Sequence, residues 1–261
     1  MLERYFQLSA HGTTVRTELL AGLTTFLTMA YIIFVNPDIL SAAGMPRDAV
    51  FVATCLAAAL GSAIMGLYAN YPIALAPGMG LNAYFAFSVV KGMGISWQVA
   101  LGAVFISGLL FIVVSLFKMR EAIVNAIPRS LKFAISAGIG LFLAIIGLKN
   151  AGLIAPHPAT FVTLGDLHQP GPVLAALGFI LIVALAQRKV PGAIIIGILA
   201  VTVAAVVAGW TPFGGIVAAP PSIMPTLMQM DIAGALHVGL LTVILTFFLV
   251  ELFDASGTLI G

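Results

Sequence analysis

The sequence predicts an all-α protein that crosses a membrane several times. Of its 261 residues, 61% are hydrophobic and only 8% are charged, and the mean hydropathy is +1.17. Soluble domains carry roughly 25% charged residues, so this chain lacks the side chains to build a polar coat. A bilayer tolerates such a surface, and a membrane-spanning helix needs about 20 apolar residues. The net charge of +2 is too small to indicate a nucleic-acid partner.

Eight stretches are apolar enough to predict spanning helices, with edges good to a few residues. In chain order they are 17–36, 50–69, 72–90, 96–117, 131–149, 172–187, 191–209 and 235–257. The third and sixth are short, and the third is also interrupted by Pro77, Gly78 and Gly80. Three connections between these stretches are long, and we expect all three on the outer side of the membrane. They are residues 37–49, 150–171 and 210–231.

The distribution of lysine and arginine predicts the orientation in the membrane. With a cytoplasmic N-terminus, the cytoplasmic side holds eight basic residues: Arg4, Arg16, Lys118, Arg120, Arg129, Lys132, Arg188 and Lys189. The other side then holds three: Arg47, Lys91 and Lys149. This excess predicts a multi-pass protein of the cell membrane (the inner membrane in a Gram-negative cell) with its N-terminus in the cytoplasm. Residues 118–132 fit either a basic interfacial helix on that face or an ordinary connecting loop.

The most informative stretch is 71–87, YPIALAPGMGLNAYFAF. Proline and clustered glycine free backbone groups that lipid cannot satisfy. The simplest structure has an extended piece at about 72–78 and a helix that begins near Gly80 or Leu81. Such a helix starts inside the membrane with unpaired N–H groups, an arrangement that binds ligands in transporters. Asn82 lies in its first turn and offers a donor and an acceptor to a planar polar heterocycle. A kinked helix with Asn82 bonded to a neighbour fits the spacing equally.

Two acids, Glu251 and Asp254, close the apolar run of the last segment. They are three positions apart, so on a helix they share a face. A carboxylate in hydrocarbon costs several kcal/mol unless it is paired, hydrated or protonated. An acid that gains and loses a proton there supplies the chemistry that proton coupling needs. The pattern equally fits a helix that ends here, with both acids among the lipid headgroups.

The first segment carries hydroxyl side chains, at Thr17, Thr24, Thr25 and Thr28. On a spanning helix such hydroxyls mostly bond carbonyl groups one turn earlier or a neighbouring helix. Thr25 and Thr28 are also candidates for lining a cavity. No histidine pair has metal-ligand spacing, and no GxSxG, HExxH or Walker motif occurs. We therefore expect no metal, no cofactor, no enzymatic activity and no ATP-driven transport.

Four stretches together resemble the AzgA-like purine permeases of the wider xanthine/uracil nucleobase:cation symporter family. They are VRTELLAGLTTFLTMAYIIFVNP (15–37), PIALAPGMGLNAYFAF (72–87), IPRSLKFAISAGIGLFLAIIGLKNAGLI (127–154) and ELFDASGTLIG (251–261). The motifs are long, occur in order and cover nearly the whole chain. The resemblance implies fourteen spanning segments in two inverted repeats of seven, with a core domain that moves against a gate domain around the bound base. It also implies a third segment that is half strand and half helix.

The resemblance further implies uptake of adenine, guanine or hypoxanthine together with protons. It matches the family's binding glycine and asparagine to Gly80 and Asn82. Its eighth-segment acid matches Asp254, through the D-x-x-G spacing to Gly257. Glu251, one turn earlier, is the second choice and a candidate proton carrier. The alternative is a carrier of the same fold for uracil, xanthine or an anion such as sulfate.

On this resemblance, residues 1–117 and 235–261 belong to the core domain of a single transmembrane unit, and residues 131–209 belong to the gate domain. The chain stops after the eighth segment, so we expect a fragment or a truncated product. The family's tenth segment, which supplies the partner strand and another binding acid, is then absent. The expected partners are a purine base, protons and the lipid bilayer, with homodimer formation through gate domains left open.

Overall fold

The computed structural model describes residues 5–10, 12–117, 128–215, 219–237 and 239–260. The fold is mostly helical. Its helices are α1 (Val15–Met29), α2 (Ile32–Ser41), α3 (Arg47–Ala63), α4 (Met79–Ala83), α5 (Trp97–Leu116), α6 (Arg129–Asn150), α7 (Pro170–Gln187), α8 (Ala193–Val207), α9 (Ile232–His237) and α10 (Leu241–Ile260). Helix α3 continues in π-helical form through Ile64–Tyr68, and α4 does so through Tyr84–Gly92. Strands β1 (Ile154–His157) and β2 (Phe161–Leu164) form a hairpin.

Within the described residues, four helical stretches are long and apolar enough to cross a membrane. They are Val15–Ser41, Arg47–Tyr68, Trp97–Leu116 and Pro170–Gln187. Shorter apolar helices occupy Gly140–Asn150 and Ala193–Val207. These helices are those of a polytopic membrane protein, while the eight predicted spans stay a prediction. Residues 118–127, the greater part of the predicted interfacial helix or loop, lie outside the described residues.

The predicted end of the first segment at residue 36 is wrong, because helix α2 runs through Pro37 to Ser41. Proline removes only one intrahelical hydrogen bond, so it need not end a helix. A salt bridge of 2.7 Å between Asp38 and Arg47 then joins the exposed end of α2 to the start of α3. The predicted connection 37–49 is therefore helical over its first part.

The last predicted segment, 235–257, is two helices rather than one. Helix α9 ends at His237 and α10 begins at Leu241. Between them Gly239 has a φ of +67°, in the left-handed region that glycine adopts at little cost. Because glycine also occurs inside apolar helices throughout this sequence, its presence alone did not predict the break.

The predicted outer connection 150–171 contains the β1–β2 hairpin, which the sequence analysis did not predict. The strands are antiparallel, with Ile154 opposite Leu164 and His157 opposite Phe161. The Nδ1 atom of His157 accepts a hydrogen bond from the backbone N–H of Thr160, at 3.3 Å. A side chain thus closes the turn, and the sequence carries no glycine-based turn signal there.

The chain divides into two compact units. Unit 1 comprises Met1–Val35, Thr54–Ala76 and Ile146–Pro220, and unit 2 comprises Asn36–Ala53, Pro77–Ile145 and Pro221–Gly261. In unit 1, α7 and α8 pack closely, because Gly197 of α8 leaves room for the side chain of Ile182.

In unit 2, helix α5 supports both α9 and α10. Gly102 of α5 lies directly against the backbone carbonyl oxygen of Asp231, at the start of α9. The buried side chains of Phe248 and Leu252 in α10 pack against partly buried apolar residues of α5, which are Leu110, Phe111 and Val114. This packing holds α10, with its two acids, at a defined position on α5.

Candidate functional site

The third segment is interrupted as predicted. Residues 70–78 form neither helix nor strand, so the half strand that the resemblance implied for this segment is wrong. A helix begins at Met79, close to the predicted start near Gly80 or Leu81. With its π-helical continuation, this helix runs to Gly92. Pro72, Pro77 and the local glycines thus keep the first half out of the helix, as the pattern indicated.

The hydroxyl of Ser62 bonds the irregular half within unit 1. The Oγ atom of Ser62 accepts a hydrogen bond from the backbone N–H of Leu75 at 2.9 Å. The same hydroxyl donates to the backbone carbonyl oxygen of Leu75 at 3.2 Å. Ser62 therefore satisfies both backbone groups of one residue, as a neighbouring strand would. The adjacent Gly61 lets this segment approach, because a Cβ there would lie 3.4 Å from the Cβ of Leu75.

The start of the helix at Met79 lacks a side-chain cap. Its N-cap residue is Gly78, with φ −72° and ψ 118°, which has no side chain to bond the first backbone N–H groups. The first N–H groups of a helix have no partner within the helix, and they carry the positive end of its dipole. The break therefore presents an electropositive group of donors in unit 2.

Asp254 lies beside this helix start. Its Oδ2 atom is 3.4 Å from the position that a Cβ on Gly78 would occupy. Because Gly78 has no side chain, the carboxylate faces the backbone at the break directly. A carboxylate is complementary to the positive end of a helix, so the structure brings together the two features that the sequence analysis singled out.

Aromatic packing sets the register that brings Asp254 there. The ring of Phe247 contacts the ring of Tyr84 in an edge arrangement, with centroids 5.2 Å apart. Phe247, Glu251 and Asp254 are spaced four and then three positions apart on α10, so they share one face of the helix. This face therefore meets the third segment at Tyr84 through Phe247 and at Gly78 through Asp254, and the two helices run antiparallel.

Glu251 lies between those two contacts on the same face of α10, and it is half-buried, whereas Asp254 is exposed on unit 2. The helix continues past both acids to Ile260. The acids therefore do not lie in its last turn, and the alternative that the helix ends at them is wrong. The side chains of residues 256–260 lie outside the described part of the chain.

Asn82 lies in the first turn of the helix, as predicted, and it bonds a neighbour. Its Nδ2 group donates a hydrogen bond of 2.5 Å to the Oδ1 atom of Asn36. Asn36 belongs to α2, where it is 3% exposed. Gly80 occupies the same first turn, one residue after Met79. The predicted pair Gly80 and Asn82 thus lies at the break, within the unit that carries Asp254.

The hydroxyls of Thr24, Thr25 and Thr28 bond carbonyl groups of their own helix, α1, as the sequence indicated. Thr25 donates to the carbonyl oxygen of Ala21 at 2.9 Å. Thr28 donates to the carbonyl oxygen of Thr25 at 2.7 Å. Both belong to unit 1, whereas Asp254 belongs to unit 2.

A cavity of about 630 Å³ lies within unit 1 among α1, α3 and residues 71–76. Thr25 lines it, together with Cys55 and Ser62, and Glu18 lies at the first turn of α1 on its wall. Thr28 is not among its described lining residues. The volume is in the range of small-molecule sites, so Thr25 faces a space that could admit a ligand.

Sequence reasoning missed Asn36 and Ser62. Each is a polar residue inside an apolar stretch that was assigned to a plain helix or its end. Their partners, Asn82 and Leu75, are distant in sequence. The available signal was polarity at a membrane-buried position, which alone marks a residue for attention.

Comparison with known proteins covers nearly the whole chain. The sequence model of the Permease family matches residues 16–261. The adenine permease AdeP of Escherichia coli is 51% identical over 261 residues, which are 100% of this chain and 59% of AdeP. The adenine permease AdeQ of the same organism is 49% identical over 260 residues, 100% of this chain and 59% of AdeQ.

The guanine/hypoxanthine permease PbuG of Bacillus subtilis is 48% identical over 273 residues, 100% of this chain and 62% of PbuG. The chain therefore spans about three fifths of the length of these curated relatives.

Proposed function

We propose, from the premise that this chain belongs to the permease family, that it takes part in the uptake of a purine base across the cell membrane. The resemblance to purine permeases is confirmed by relatives named for adenine and for guanine/hypoxanthine. The observation that carries the proposal is the carboxylate of Asp254 beside the uncapped helix start at Gly78. Transport, rather than an enzymatic reaction, is what these relatives are named for.

The proposed chemistry pairs the edge of a base with these groups. A carboxylate accepts a hydrogen bond from a ring or exocyclic N–H, and the helix N–H groups donate to a ring nitrogen or a carbonyl oxygen. Asn82 contributes a second contact from the first turn, and Gly80 allows the base to approach the backbone closely. A hydrogen bond to a charged group contributes about 1.5–3 kcal/mol, which is roughly tenfold to a hundredfold in affinity.

Glu251 is the proposed proton carrier. It is half-buried and lies on the same helix face as Asp254, one turn away. An acid at such a position can alternate between its neutral and charged forms as the transporter changes conformation. Thr25 and Thr28 are proposed as secondary lining groups on α1, with Thr25 supported by its place on the cavity of unit 1.

The finer architecture is also proposed. Residues 1–117 and 235–261 would form part of a core domain, and 131–209 part of a gate domain, within a fold of two inverted repeats of seven segments. The N-terminus would lie in the cytoplasm, as the distribution of basic residues indicates. The interrupted third segment supports this fold, because its irregular half and helical half meet at Met79.

The test is uptake of radiolabelled adenine, guanine and hypoxanthine by cells that lack their own purine permeases and express the whole protein. We expect accumulation of at least one base. We expect Asp254→Asn to abolish nearly all of it at an unchanged membrane level, because a neutral amide is a weaker acceptor and cannot anchor the N–H as strongly. Asp48→Asn, the same change at an exposed position in unit 2, is the control.

Failure of all three bases to accumulate, with the protein in the membrane, would reject the function. Full uptake by Asp254→Asn would reject only the role of that residue. A competition panel of uracil, xanthine and sulfate distinguishes the alternative carriers. Proton coupling is tested with Glu251→Gln, which should keep exchange of labelled for unlabelled base and lose accumulation that depends on the proton gradient.

A further inference from the structure

Asn36 is a buried amide in an apolar part of the fold, and its contact with the third segment is specific. It is 3% exposed in α2, and its neighbours Val35 and Pro37 are apolar. Its Oδ1 atom accepts the hydrogen bond that Nδ2 of Asn82 donates. Burying an amide is unfavourable unless it is hydrogen-bonded, and a leucine of similar size would pack at this position without that cost. The amide therefore contributes something that packing alone does not.

The contact determines which end of the Asn82 amide is available. A side-chain amide is planar, with an acceptor oxygen on one side and two N–H donors on the other. When Asn36 holds the nitrogen side, the Oδ1 atom of Asn82 points to the opposite side of the plane. With Asn36 in this orientation, rotation of the Asn82 amide alone by 180° would set two acceptor oxygens against each other and lose the bond. Asn82 is thereby held as an acceptor toward any ligand on its other side.

We propose that Asn36 is a positioning residue that fixes the amide of Asn82 with its oxygen toward the ligand, so that the site selects bases with an N–H at that edge. This inference rests on the proposed purine-base function. Asp254 is also an acceptor, so Asp254 and Asn82 together bind best a ligand that carries two N–H groups. Asn36 acts on the base through Asn82 and does not itself contact the base.

The test is a double-mutant cycle of Asn36→Leu and Asn82→Ala in the whole protein, read as KM and kcat for the best transported base. Each single variant should raise KM about tenfold with a smaller change in kcat, because each removes or misdirects one hydrogen bond. The double variant should also show about tenfold rather than a hundredfold, because Asn36 has no effect once Asn82 is absent. Asn150→Leu, the same change at an exposed asparagine, should leave KM unchanged.

Additive effects on KM would overturn the inference, since they would show that Asn36 acts independently of Asn82. A second measurement needs no substrate: thermal unfolding of the same four proteins in detergent. The Tm shift of the double variant should be smaller than the sum of the single shifts, and additive shifts overturn the contact itself. If the unmodified protein transports no purine, the proposed function fails and the selectivity inference fails with it, whereas additive KM effects in an active protein reject the inference alone.

Discussion

Gly78→Ala separates stability from function at the proposed site. The backbone of Gly78, with φ −72° and ψ 118°, lies in a region that any residue adopts. A Cβ there would lie 3.4 Å from Oδ2 of Asp254, an ordinary van der Waals distance. The alanine therefore fits without moving the carboxylate, and it reduces the entropy of the unfolded chain. We expect the free energy of unfolding to rise by about 0.4–1 kcal/mol.

The same methyl group occupies the space between the carboxylate and the helix start. A ligand atom that bonds Oδ2 must come within about 3 Å of it, and the methyl blocks that approach from the side of the break. Loss of one bond to a charged group corresponds to a rise in KM of about tenfold or more. Gly78→Ala should therefore be at least as stable as the unmodified protein and transport poorly.

The assay combines uptake kinetics with thermal unfolding of the detergent-solubilised protein. Gly108→Ala is the matched control, because Gly108 lies in α5 of the same unit and a Cβ there meets nothing within 4 Å. It should stabilise the helix by roughly 1 kcal/mol and leave KM unchanged. An unchanged KM for Gly78→Ala would refute the idea that the base binds between Asp254 and the helix start. A large loss of stability would refute the backbone argument instead.

Three further changes test the scaffold. Gly102→Ala should lower the free energy of unfolding by about 2 kcal/mol or more, because its methyl group would collide with the backbone carbonyl oxygen of Asp231; thermal unfolding measures it. Ser62→Ala should cost about 1–3 kcal/mol, since it leaves both backbone groups of one residue in the irregular half without their hydroxyl partner; the same measurement, with Ser62→Thr as a partial rescue, checks it. The backbone N–H of His168 is the largest influence that holds the pKa of Asp166 below its ordinary value. The hydrogen bonds that this carboxylate accepts in the loop should be fully formed above the ordinary pKa of aspartate, and they should be lost as the pH falls through the lowered pKa. Hydrogen exchange of the backbone amide of His168, measured as a function of pH, would follow this loss.

The interruption of the third segment was predictable because its causes are local. Pro77, Gly78 and the residues around them act on their own backbone, so the sequence alone indicates where the helix cannot form. The shared face of Glu251 and Asp254 follows in the same way from the helical period. These two predictions needed no knowledge of which elements pack together.

The rest depended on tertiary contacts that the sequence does not display. The role of Asn36 requires the approach of α2 to the third segment, and the partner, Asn82, is 46 residues away. The hairpin was missed because a histidine side chain, His157, rather than a glycine turn closes it. The continuation of α2 through Pro37 to Ser41 lies beyond the predicted end of the first segment at residue 36.

The attraction between the carboxylate of Asp254 and the start of the helix at Met79 limits which ligands can bind between them. Asp254 lies against the positive end of the helix that starts at Met79, so a ligand that separates them must replace attraction on both sides. It must donate an N–H to the carboxylate and offer an acceptor to the helix, which an adjacent donor and acceptor on one ring edge provide. If Asn36 holds the amide of Asn82 as proposed, the Oδ1 atom of Asn82 accepts a hydrogen bond from a further N–H group of the ligand. Adenine, guanine and hypoxanthine each carry at least two N–H groups, whereas unsubstituted purine carries one. Selectivity should therefore follow the number and position of N–H groups on the base rather than the size of its rings.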